Sequence, residues 1–155
     1  MAPEEIPTEL AGVGIPDVVG PIVGWRAWKV ERIGAIARLR SVVYDGTLWP
    51  PRRYLVAACP DEGRDHVVPH ETCSCGIYAA LDRALLLEMA YGAYSANDLK
   101  VFGEVALSGK VIVGEYGYRA TKGRPMHLYV PRMLWRLESA LENYGVPIER
   151  SNPFK

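Results

Sequence analysis

Alternation of apolar and polar residues, with a period of two, organises much of this chain. In Ala35–Tyr44, Ile36, Arg38 and Arg40 share one parity while Ala37, Leu39 and Ser41 share the other, the mark of a half-buried strand. Trp25–Val30 is equally rich in aromatic and β-branched residues. With Glu31–Gly34 between them, the two runs predict a hairpin. Asp45-Gly46 is a turn dipeptide, and Trp49-Pro50-Pro51 must be extended or turning, because a residue before proline is pushed out of the α region. Arg53–Ala58 reads as a short strand leading to Cys59. Leu99–Leu107 and Lys110–Tyr116, joined by Ser108-Gly109, predict a second hairpin. Gly103 and Gly114 inside it mark a bulge, a tight bend or a close backbone approach. A polar segment from Arg119 to Pro125 leads to a last strand at Met126–Val130.

Two stretches change to helical character. Ile77–Tyr91 is dominated by Ala, Leu, Glu, Met and Arg, with an apolar stripe wide enough to predict a largely buried helix. Pro131 suits the first turn of another, Leu134, Leu137, Leu141 and Tyr144 follow its spacing, and Gly145 is placed to cap it. Proline and glycine punctuate residues 1–21 too often for regular structure, so an extended arm is expected there, and residues 148–155 look like a tail. The expectation is therefore one α+β domain over residues 22–147. It is a curved antiparallel sheet or small open β-barrel of five to seven strands, with two packed helices.

Composition narrows the function classes. A chain of 155 residues is long enough for one real core, and 49% hydrophobic against 23% charged residues excludes disorder throughout. Eighteen basic residues balance eighteen acidic ones, so a polyanion could be held only by a local patch. No apolar run approaches the ~18 residues of a spanning helix, and no membrane partner is expected. The acidic N-terminal residues are unlike a signal peptide, which predicts a cytoplasmic protein.

The chemistry is concentrated in one stretch. All three cysteines and two of the three histidines lie between Cys59 and Cys75. An odd cysteine count argues against a disulfide framework, and clustered thiols on a Pro/Gly-bearing loop suit tetrahedral zinc. The candidate ligands are Cys59, Cys73, Cys75 and His66, with His70 as the alternative to His66. Three cysteines and one histidine make a closed, hence structural, zinc site. Three other readings stand beside it: buried inert thiols, a disulfide such as Cys59–Cys73, or a Cys73 or Cys75 nucleophile with a histidine base.

The string Cys59…His66-Val-Val-Pro69…Cys73-Ser-Cys75-Gly-Ile-Tyr-Ala79, with Trp49-Pro50 before it and Gly103-Glu-Val-Ala-Leu…Gly109-Lys-Val…Gly117-Tyr-Arg-Ala120 after it, resembles a group of small actinobacterial and actinophage proteins. The likeness spans roughly residues 24–135. It implies one fold and a bacterial or phage origin, and no activity.

A second candidate is the segment Tyr116, Tyr118, Arg119, Lys122 and Arg124, where aromatics, cations and glycines together could stack bases and hold phosphates. An ordinary solvated loop is the plainer account of it. No catalytic motif appears. The expected function is a non-enzymatic binding module with a structural zinc site, its ligand a protein, a nucleic acid or a small molecule. The alternative is a small enzyme using the Cys/His loop.

Overall fold

The computed structural model describes residues 4–5 (backbone), 21–42, 47–59, 66–88 and 100–151. The expected turn at Asp45-Gly46 falls outside these residues, as does most of the expected arm. Glu4–Glu5 form a two-residue strand, β1, paired with Val113 and Ile112.

The first expected hairpin is present. β2 (Ile22–Ile33) and β3 (Ile36–Ser41) pair antiparallel from Ile33 opposite Ile36 to Trp28 opposite Ser41. Gly34 turns between them at φ +65, a region that favours glycine. Alternation places Ala37 and Leu39 inward, both at 0% exposure. β4 is short, Leu55–Val56.

The long helix predicted over Ile77–Tyr91 is corrected. Ile77–Ala80 is a strand, β5, and helical structure starts at Arg83. Helix α1 is Arg83–Leu86, its Leu85 amide donating to the Asp82 carboxylate at 2.8 Å, and the helical turn continues through 87–88, where this stretch of described residues ends. Met89–Tyr91 lie outside the described residues.

The second hairpin differs from expectation in its turn. β6 (Lys100–Val113) and β7 (Gly117–Val130) are long strands, and the chain reverses at Gly114–Tyr116 rather than at Ser108-Gly109. Ser108-Gly109 is a bulge, where the register against β7 shifts. Gly109 has φ +82, so the residue type that marks a turn here marks a bulge. The polar run from Arg119 to Pro125 is no loop but the middle of β7. At Gly103 a side chain would collide with the His127 carbonyl, the close approach that glycine there implied. β7 also accounts for the missing helix. Propensity favours a helix at Ile77–Ala80, but Ile77, Ala79 and Ala80 are buried and β5 supplies pairing for β7, so tertiary packing prevails.

The sheet closes on itself. β6 pairs with β2 and β7, β5 pairs with β7, and β5 meets β2 through the single pair Trp25 opposite Ala80. One residue pair is too little for a regular barrel, so the structure is a ring of strands open along one seam. Eight strands are present among the described residues, more than the five to seven expected. The sheet is also not wholly antiparallel, because Ile148–Arg150, expected in a tail, form β8 parallel to β7.

Pro131 precedes a 3-10 turn (Arg132–Leu134), then helix α2 (Trp135–Ala140) and a second 3-10 turn (Glu142–Tyr144), with Gly145 left-handed as its cap. Leu137, Leu141 and Tyr144 pack into the core with Trp28, Trp49, Leu39 and Leu128. Trp28 and Trp49 meet edge to face at 5.5 Å. The buried Tyr144 hydroxyl accepts from the Leu39 amide and donates to the Trp49 carbonyl, both at 2.7 Å. Tyr144→Phe strands both groups and should destabilise the protein by about 1–3 kcal/mol in denaturant titration. A change below about 0.5 kcal/mol would show that these bonds add nothing. No helix among the described residues is long and apolar enough to cross a membrane.

Candidate metal centre

β7 is the platform on which the cysteine loop is built. Beside its contact with β6, it pairs with β4 at Lys122 and Gly123 and with β5 from Gly117 to Ala120. The chain from Ala57 to Gly76 therefore leaves β7 and rejoins it on either side of one residue, Thr121. That residue holds both arms of the loop. Its carbonyl accepts from the Ala57 amide at 2.8 Å, and its hydroxyl donates to the Val68 carbonyl at 2.8 Å.

This closure gathers Cys59, His66, Cys73 and Cys75, whose ligand atoms all lie within 4.8 Å of one another. Cys59 Sγ is 3.6 Å from Cys73 Sγ, and Cys75 Sγ is 4.0 Å from His66 Nε2. Zinc bonds of about 2.3 Å to sulfur and 2.0 Å to nitrogen imply tetrahedral edges of about 3.5–3.8 Å. The observed separations come close to those edges, and side-chain rotation can close the wider ones. The imidazole of His66 is oriented for ligation. Its Nδ1 donates to the Val67 carbonyl at 3.0 Å, which leaves the Nε2 lone pair facing the thiols.

His70, the alternative ligand, is used otherwise. Its Nδ1 lies 3.0 Å from the Thr72 hydroxyl and accepts from the Thr72 amide at 3.2 Å, while its carbonyl accepts from the Cys73 amide at 3.1 Å. It shapes the turn that presents Cys73, and His66 completes the cluster.

Cys73 and Cys75 are buried, at 8% and 2% exposure, while Cys59 is half-buried. The Cys75 amide, donating to the Cys73 sulfur, is the chief influence that lowers the Cys73 thiol to about 7, with His66 and the neighbouring thiols adding to it. Burial pushes the Cys75 thiol up, and the neighbouring Cys73 adds to the rise. One candidate ligand is thus more readily ionised than an ordinary thiol, and another less. Gly76 closes the turn at φ +118; a Cβ there would stand 3.0 Å from Pro69 Cβ.

Sequence reasoning missed the group beneath the loop. Arg119 is 8% exposed, and its Nη1 donates to the carbonyls of Cys73, of Cys75 at 3.0 Å and of His70 at 3.2 Å. Among the described residues no carboxylate pairs with it. Three thiolates and one histidine around a divalent ion such as Zn²⁺ would carry a net charge of −1, which the guanidinium behind these carbonyls would offset. The polar context of Arg119 hid this, since nothing in the spacing says that it points inward.

The other residues of the expected polyanion segment are divided. Lys122 and Arg124 lie over the Tyr54 ring, at 5.2 and 5.7 Å from its centroid. Tyr116 and Tyr118 line a cavity at the far end of β7, together with one side of Arg119. Arg119, the fifth of them, is turned toward the cysteine loop by its bonds to the His70, Cys73 and Cys75 carbonyls. No family model, curated protein or solved structure matches the chain.

Proposed function

We propose that Cys59, His66, Cys73 and Cys75 hold a structural zinc ion, and that the protein is a non-enzymatic binding module stapled by it. The observation that carries this is the convergence of four ligand atoms from a loop whose ends are fastened to one strand. Four protein ligands fill a tetrahedral shell and leave no position for water or substrate, so the ion folds the loop rather than reacting. A part for the protein as an accessory factor of an actinobacterium or its phage rests on the resemblance carried by Trp49-Pro50, the Cys59–Ala79 string and the Gly103–Ala120 string. Elemental analysis of purified protein is the test, with about one zinc per chain expected. Metal-free protein of equal stability would end this reading.

The easily ionised Cys73 favours the alternative, an enzyme with a cysteine nucleophile. Burial of that thiol opposes it, because a nucleophile must be reached. A thiol-reactive probe should label the zinc-loaded protein slowly and the chelated protein at least tenfold faster. Fast labelling of one cysteine in the loaded protein would favour the enzyme.

A further inference from the structure

The open seam of the strand ring leads to a cavity that the metal centre does not use. Its volume is about 210 Å³, and it lies where β2 and β5 meet only through Trp25 and Ala80. Concave, mostly apolar spaces with largely pre-formed walls are the common form of a small-molecule site. Trp25, Tyr78, Tyr116 and Tyr118 line the cavity, with Leu86 and Ile112 as aliphatic surface. Its walls are fixed from behind: the Tyr78 hydroxyl donates to the Ser74 carbonyl at 2.5 Å, and Arg26 donates to the Tyr78 carbonyl at 2.6 Å.

Size and charge select the occupant. An apolar protein cavity of roughly 150 Å³ takes benzene, so this larger space suits two fused rings. Aromatic walls favour a flat π-system over a globular aliphatic one. Four aromatic rings could also cage a methylated ammonium ion. The lining, however, carries two guanidinium groups, Arg26 and Arg119, against the single carboxylate of Glu115, which disfavours a cation. Both arginines already donate to backbone carbonyls, which draws them away from a phosphate or carboxylate. We infer that this cavity binds a planar, uncharged aromatic molecule of about two fused rings.

Quinoline is a suitable probe, being flat, soluble and neutral at mildly alkaline pH. Titration into the full chain, followed by amide and indole NMR shifts, should saturate with a Kd on the order of 1 mM or tighter. Shifts should centre on the Trp25 indole and the Gly114 and Gly117 amides. Ala80→Leu, which fills the space, should weaken binding at least tenfold. Tyr116 is 53% exposed, so Tyr116→Ala should leave the melting temperature unchanged while weakening binding about threefold to tenfold. It keeps the test decisive if the filled variant does not fold. Absence of saturation, saturation with shifts elsewhere, or wild-type affinity in Tyr116→Ala would each overturn the proposal. So would tetramethylammonium binding more tightly than quinoline.

Discussion

Removing zinc should lower the melting temperature by about 10 °C or more. A ligand present at a thousand times its dissociation constant adds about 4 kcal/mol to folding, and structural zinc reaches such ratios readily. For a chain of this size each kcal/mol moves the midpoint by about 2–4 °C. Calorimetry with and without a chelator measures it, and Cys75→Ser should reproduce the loss in zinc-containing buffer. The effect also has a sign in pH. Ligation requires thiolates, so binding zinc releases protons and affinity rises with pH. Since the Cys73 thiol is lowered to about 7 while that of Cys75 is raised, Cys73 loses its proton first and Cys75 resists. The zinc contribution should therefore be present on the alkaline side and be lost as the pH falls through about 7 and below. A chelator-insensitive transition, or affinity that rises on acidification, would contradict a thiolate-held metal.

Arg119→Met should be the most damaging single change outside the ligands. It deprives the His70, Cys73 and Cys75 carbonyls of their shared donor and removes the charge that offsets the site. A buried acceptor left without a partner costs about 1–3 kcal/mol, so a loss of about 3 kcal/mol or more is expected. Zinc affinity should fall about 10- to 100-fold, as it does when groups behind metal ligands are removed. Arg119→Lys tests whether the two losses can be restored. All three bonds come from one nitrogen, Nη1, so an ammonium that reached the same place could restore charge and donors together. Partial recovery of zinc affinity in the lysine variant is expected. If the methionine variant binds zinc as tightly as the wild type, Arg119 is no part of the site.

What could be read from the sequence follows the range of the forces involved. The Cys/His cluster was legible because its members are rare residue types crowded into one loop. The β2–β3 hairpin was legible because alternation and turn chemistry are local signals. The strand at Ile77–Ala80 was not, because the partner that holds it, Gly117–Ala120 in β7, lies far along the chain. Gly109 gave the right backbone conformation and the wrong structure, since one residue at positive φ serves a bulge as well as a turn. Arg119 shows the same limit at the site itself. A cation in a polar stretch looks solvated until the carbonyls that it meets, contributed by a distant loop, are in place.

The order in which the chain is made gives the fastening of the loop to β7 a temporal meaning. On the ribosome, Cys59, His66, Cys73 and Cys75 emerge before Thr121 and Arg119, the residues that hold their backbone. A nascent chain that has reached only β5 has all four Cys/His residues but not the strand that gathers them. The gathering of the loop waits for β7, which is itself paired with β6. Were the proposed zinc bound, its capture would come late in synthesis, after β6 and β7 have been made, and zinc supply would bear on the yield of finished protein rather than on the start of its folding.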